Sequence, residues 1–483
     1  MTKILEKATI NEKLETDKEF KSSIIKQLNQ ISGKENVLTD IEDRYCYSQE
    51  PALIPGNFSE NRTFLPDIVV LPTGTEQVSK IVKLANENNI PVIARGAGTN
   101  HAGGCAAVNG GIVIHFSKMN QVLGVDKNNL LCRVQPGATV EKLQIEAEKA
   151  GLYYPPDPSN LKVSTVGGSV AMSSSGPRTF KYGGTKDYVL DLEVVLADGS
   201  VIRTGGNTVK NVTGYNLTQL FIGSEGTLGI VTEVTVRLIP KPQSKKVLLV
   251  FFDSVDNAAN AVTHIISSKL VPSTLDIMDQ KTLQTVESFC PTGLLTDMDA
   301  ALVIEVDGFE DAINTQIKQI VGICDEHNAV QIRVSRNKEE EDRIWTARRS
   351  AFGAVARLAP NVITEDMVVP RDKIPQIVRE IRRISRKYSL KVCIMGHIGD
   401  GNIHPNFSLD LRDKEQAERF EKAADELFQS AIDMGGTVSG EHGIGMTKSK
   451  YLKNALNDIN IQYMRGIKNL FDPKGILNPG KIF

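Results

Sequence analysis

The chain has one tryptophan, six cysteines, no long apolar run and no surplus of positive charge, and each shortage excludes something. Its longest purely apolar run, Val247 to Phe252, is far short of the roughly 20 residues that a membrane-spanning helix requires. With 56 Lys plus Arg against 58 Asp plus Glu, it lacks the cationic excess that neutralises phosphates, so nucleic acid is not an expected partner. Cys46, Cys105, Cys132, Cys290, Cys324 and Cys393 are scattered, without the close pairs of iron–sulfur clusters or zinc ribbons. Met1 to Lys7 contain no apolar core of signal-peptide length. These absences lead us to expect a cytoplasmic protein without a transmembrane segment.

What is present is enough sequence for more than one core, since 483 residues predict two or three domains. Residues 1–55 read as a helical N-terminal extension, peripheral to the fold, with an amphipathic helix over Phe20 to Ile31. A strand over Asp67 to Pro72 follows, then a helix capped by Thr75 with Val78, Ile81, Val82 and Ala85 on one face, then a strand over Pro91 to Ala94. The next loop, Arg95-Gly96-Ala97-Gly98-Thr99, is not a Rossmann fingerprint. It lacks the third glycine and the immediate helix, and runs on through Gly103, Gly104, Gly110 and Gly111 into another strand. There is no P-loop. Residues 163–236 read as mostly strand and turn, with Asp198-Gly199 marking a hairpin between Leu190 to Leu196 and Val201 to Arg203.

A glycine loop such as 95–99 suits phosphate because backbone N–H groups can approach the anion while Arg95 supports it from nearby. It is accompanied by Thr165-Val166-Gly167-Gly168, by Gly223-Ser224-Glu225-Gly226-Thr227-Leu228-Gly229-Ile230 and by Leu477-Asn478-Pro479-Gly480-Lys481. This ordered set resembles the vanillyl-alcohol-oxidase superfamily of FAD enzymes, in the branch holding FAD-linked D-lactate dehydrogenases and the D subunit of glycolate oxidase. The resemblance covers about residues 40–483. It implies an α+β protein: the N-terminal extension, a PCMH-type FAD-binding domain over 56–240, an α/β cap or substrate domain over 241–425, and a C-terminal helical segment over 426–483 that completes the active site and returns to the FAD domain. It also implies that Arg95, Gly96, Ala97, Gly98 and Thr99 hold the FAD pyrophosphate, that Pro158, Thr165, Gly168, Ala171 and Ser174 line the cofactor, and that Glu225, Ile230 and Asn478 complete its site. Thr99 stands where some relatives carry a flavin-tethering histidine, so the FAD is expected to be non-covalent. His101, two residues on, is expected at the surface or behind the site.

Three of the seven histidines fall in two short glycine-rich segments, 396–406 and 439–445. Each is expected to follow a strand, with the amphipathic stretch containing Phe420, Leu427 and Phe428 as the crossover that brings the two loops together. His397, His404 and Glu441 then form a three-ligand metal site with an open position. The resemblance agrees, matching these three to metal ligands (zinc, manganese or iron), His442 to the base, Asn406 to a residue beside the substrate and Arg348 to a carboxylate clamp. An exchange of roles between Arg348 and Arg349 stays open.

The implied reaction is oxidation of a small D-2-hydroxy acid, D-lactate first and glycolate next. Thr364 occupies about the place where D-2-hydroxyglutarate dehydrogenases carry a lysine. Electrons would leave through a partner, an electron-transfer flavoprotein or an iron–sulfur subunit. Two other classes compete: a companion subunit that carries FAD without chemistry, and a non-redox flavin transferase of the same superfamily. Both histidine segments are intact, against the first, and the transferases' longer histidine cluster is missing, against the second.

Overall fold

The computed structural model describes residues 13–52 and 64–483. The Met1 to Lys7 stretch and the boundary expected at residues 55/56 lie outside them. Three main sheets organise the chain, two in the N-terminal half and one large sheet in the C-terminal half. The fold is α+β.

In the first sheet the strands Ile68–Val70, Ile112–His115 and Val92–Arg95 run parallel in that spatial order. The helix Thr75–Glu87 makes the crossover and buries Val78, Ile81, Val82, Leu84 and Ala85 against the sheet. Gly74, not Thr75, is its N-cap residue, because the Thr75 hydroxyl is drawn to Glu193 of the second sheet at 2.5 Å. The N-terminal segment is not peripheral as expected. Ile24 and Leu28 of the helix Lys18–Ser32 are buried in the same core as Ile68, Val70 and Val78, and the strand Val37–Leu38 pairs antiparallel with Ile68–Val70. That pairing covers a sheet edge that would otherwise present unpaired backbone.

The second sheet is antiparallel, ordered Val122–Asp126, Leu131–Val134, Ile230–Arg237, Val189–Val195, Val201–Arg203. The Asp198-Gly199 hairpin is there, with Gly199 at φ 87°. Within 163–236, expected as strand and turn, lies the helix Val166–Met172, started by the Thr165 hydroxyl accepting the Gly168 N–H at 3.2 Å. Its glycines hide helical periodicity, and the cap plus its seat on the sheet override them.

The third sheet is antiparallel and runs Ala329–Val334, Ser244–Phe252, Ala300–Gly308, Thr274–Asp279, Lys391–His397, Asn402–Leu409, Asn361–Thr364, with Met367–Val368 also pairing to Asn402–Leu409. Helices Val255–Ser267, Glu310–Glu326, Ile374–Lys387 and Lys414–Asp433 build the larger core on one face, and Gln280–Phe289 and Lys338–Val355 the smaller on the other. Buried charges join the halves. Arg178 bridges Asp157 at 2.9 Å and Glu305 at 3.0 Å, and Trp345 donates its indole N–H to Glu305 at 2.9 Å. The chain end returns to the first sheet, where the Asn478 N–H donates to the Val92 carbonyl at 2.8 Å.

Candidate active site

The glycine loop leaves the end of strand Val92–Arg95, where a parallel sheet opens onto a crevice. Gly98 has φ 68°, and a Cβ added to it would lie 2.2 Å from a guanidinium nitrogen of Arg95. Arg95 is therefore folded behind the loop, donating to the Gln49 carbonyl at 2.7 Å. A Cβ on Gly96 would meet the Thr165 hydroxyl at 2.2 Å, so the 95–99 and 165–168 loops abut. Gly96, Ala97, Gly98 and Thr99, with Pro158, Thr165, Gly168, Ala171, Ser174 and Ile230, line a cavity of about 410 Å³. Small residues and exposed backbone there suit a flat, phosphate-bearing ligand.

Two residues expected at the cofactor also hold loops together. Asn478 does not line the cavity; its amide N–H groups bond the carbonyls of Gly104 at 2.8 Å and Glu225 at 2.7 Å, tying glycine loop to glycine loop. Glu225 lines the cavity, but its carboxylate accepts the backbone N–H groups of Ile444 and Gly445, each at 2.8 Å. Neither long-range partner has a signal in sequence spacing.

The same cavity is lined by Arg348, His397, His404, Asn406, Glu441 and His442. His397 and His404 sit on one hairpin, where Met395 opposes His404 and His397 opposes Asn402. Side chains alternate across a strand, so Asn402, His404 and Asn406 share the face of Met395 and His397, while Ile403 and Phe407 enter the larger core. The ligand atoms of His397, His404 and Glu441 lie within 4.8 Å of one another. Glu441 Oε1 stands 3.1 Å from His404 Nε2 and 3.5 Å from His397 Nε2. His397 Nδ1 stands 2.7 Å from Asp276 Oδ1, a partner that fixes the ring orientation and directs Nε2 toward Glu441. Burial works against a charged His397, but Asp276 and Glu441 outweigh it and raise its pKa well above the usual value. Two nitrogens and a carboxylate oxygen converging this way fit a divalent cation.

The second histidine segment does not follow a strand; Thr437 makes only an isolated bridge to Val368. What holds it is Asp366, a residue the sequence reading did not single out. Its Oδ2 accepts the N–H groups of Gly440, Glu441 and His442 at 2.9, 3.1 and 3.0 Å and the Ser439 hydroxyl at 2.7 Å. Burial raises its pKa, but Lys448, His442 and His404 prevail and hold it well below the carboxylate range. The sequence offers only the Glu365-Asp366 pair standing before the apolar run Met367 to Val369.

His442 is half-buried, and desolvation, opposed by Asp366 and reinforced by His101 and His404, pushes its pKa down to about 3. His404 stacks on it at 5.2 Å between ring centroids and 12° between planes. His101, expected at the surface or behind the site, instead lines the cavity and stacks on His442 at 5.0 Å and 26°. Arg348 is buried, its Nε 2.8 Å from Asp276 Oδ2, whereas Arg349 lies over the Trp345 ring at 5.0 Å and lines the cavity from a more exposed place. Asn406 accepts the Thr364 hydroxyl at 2.7 Å and donates to the His404 carbonyl at 2.8 Å, so its amide braces the hairpin beside the cavity.

Comparison with known proteins agrees with this geometry. The family model described as "FAD linked oxidases, C-terminal domain" matches residues 241–482, and "FAD binding domain" matches residues 66–205. The chain is 44% identical over 457 residues to "Glycolate oxidase subunit GlcD" of Bacillus subtilis, covering 95% of this chain and 96% of that one. It is 36% identical to "D-lactate dehydrogenase" of Anaerostipes hadrus, covering 86% and 89%. Among solved structures, p-cresol methylhydroxylase with substrate bound superposes with TM-score 0.80 at 18% identity over 96% of this chain and 97% of that one, which establishes a PCMH-type fold. Among the described residues no helix is long and apolar enough to cross a membrane. With the glycine-lined cavity and both family matches spanning its two halves, the chain belongs to the FAD-linked oxidase family and is an FAD-dependent oxidoreductase.

Proposed function

We propose that this protein oxidises a small D-2-hydroxy acid to the 2-oxo acid, D-lactate in preference to glycolate. The observation that carries the reading is the meeting, in one cavity with the flavin loops, of a three-ligand cluster, a half-buried imidazole and a buried guanidinium. When bound, non-covalent FAD supplies the hydride acceptor. His397, His404 and Glu441 would hold a divalent ion, which supplies Lewis acidity toward the substrate's oxygens.

The chain's own groups do the rest. Arg348 grips the substrate carboxylate; buried beside Asp276, it is fixed and charged. His442, which lines the cavity beside Glu441, is placed to take the hydroxyl proton as hydride leaves the α-carbon. Asp366 fixes the backbone that carries His442. Thr364 lines the cavity and offers no cation to a second carboxylate, which disfavours D-2-hydroxyglutarate.

The electrons taken from the substrate would leave through a partner protein, an electron-transfer flavoprotein ahead of an iron–sulfur subunit. This rests on the chain's lack of a cysteine cluster pattern and of a nicotinamide fingerprint. The test is anaerobic flavin bleaching with D-lactate, L-lactate, glycolate and D-2-hydroxyglutarate, followed by oxygen, NAD or electron-transfer flavoprotein. Faster bleaching by D-2-hydroxyglutarate than by D-lactate refutes the substrate, and rapid reoxidation by oxygen or NAD alone refutes the partner.

A further inference from the structure

We infer that His101 is a positioning residue, the outer plate of a three-ring stack that fixes the plane of His442. This rests on the reading of His442 as the base. A catalytic imidazole is usually oriented by a carboxylate or carbonyl that accepts a hydrogen bond from its other nitrogen. Among the described residues His442 has no such orienter. Its Nδ1 is buried and without a hydrogen-bond partner.

Packing replaces the missing bond. His404 and His101 each stack on the ring, at 5.2 Å and 12° and at 5.0 Å and 26°. His101 is itself held on its far side by Phe352 of the helix Lys338–Val355, edge-on at 5.4 Å and 77°. The flavin-half loop that delivers it is stitched to the catalytic loop. Asn100 donates its amide N–H to the His442 carbonyl at 2.8 Å, accepts the Ala102 N–H at 2.7 Å, and the Met446 N–H donates to the Ala102 carbonyl at 2.7 Å. Both halves of the molecule thus clamp one ring. What the clamp needs from residue 101 is a flat face, not a proton.

The experiment compares His101→Phe, His101→Leu and His101→Ala with wild type in the FAD- and metal-loaded enzyme, reading kcat and KM for D-lactate and flavin content, with His442→Ala as reference. Phenylalanine keeps the plate and should leave kcat within about threefold of wild type. Leucine fills the space without a flat face and alanine empties it. Both should lower kcat by about 10- to 100-fold, in the range for a catalytic group misplaced by about an ångström, with KM little changed. A phenylalanine variant as slow as the alanine one, or leucine and alanine variants with wild-type kcat, overturns the inference. Should the alanine variant lose its flavin, the phenylalanine–leucine pair decides alone, and equal kcat in those two overturns it. Normal turnover in His442→Ala removes the base assignment instead, whatever the His101 variants do.

Discussion

Glu225 and Gly445 are 220 residues apart in the chain, yet a Glu225 carboxylate oxygen accepts the Gly445 N–H at 2.8 Å while the other oxygen accepts that of Ile444. A residue of the flavin half thereby fastens the loop that follows His442, and does so fully buried.

A pH dependence follows. Burial outweighs the two N–H bonds and raises Glu225 from 4.5 to about 7. Between those values the folded protein keeps a proton that the unfolded chain has released. The stability linked to that proton is fully present below about pH 4.5, is lost as pH rises toward 7, and changes no further above it, a span of about 3 kcal/mol. Glu225→Gln cannot ionise. Denaturant unfolding at pH 5 and pH 8 should show the wild type losing ground to the variant by that amount as pH rises; a pH-independent gap between the two contradicts the assignment.

Asp366→Asn should be severe. The substitution removes an anion that accepts three backbone N–H groups and a hydroxyl in the interior and takes away the carboxylate that Lys448 meets at 3.6 Å. We expect a loss of about 3–5 kcal/mol, the range for breaking a buried charge pair, together with loss of bound metal. Wild-type unfolding and metal content in this variant would show that the loop is held by other means.

Chelation, or His404→Ala, should abolish flavin reduction by D-lactate while the yellow flavin stays bound, because His397, His404 and Glu441 are separate from the residues of the glycine loops. Elemental analysis establishes that the metal is gone. Reduction at the normal rate in metal-free protein is the outcome that sinks the metal's role.

His442→Ala should slow flavin reduction by at least about 10²-fold, as loss of a general base does, with a smaller effect on binding, because Arg348 is untouched. Stopped-flow reduction across a range of D-lactate concentrations separates the two. Near-normal turnover would assign proton transfer to another group.

The sequence by itself determined the parts whose information is local. β-branched runs specified the strands Ile68–Val70 and Val92–Arg95, and the Asp198-Gly199 pair specified a hairpin, with Gly199 at φ 87°. His397 and His404 were legible as a pair because both lie within one glycine-rich segment, and strand alternation then puts them on one face.

Only the tertiary structure decided what depends on contacts between distant segments. Period and propensity carry no record that Asp366 gathers the N–H groups of residues 440–442, that Asp276 orients His397, or that Asn478 ties two glycine loops instead of lining the cavity. The N-terminal helix read as peripheral because its polar face resembles that of any surface helix, and its burial is set by a sheet edge formed elsewhere. His101 read as incidental for the same reason. Its neighbours in sequence are small residues, and its partners His442 and Phe352 come from the other half of the chain, where the closing of two cores on one cavity brings the three rings together.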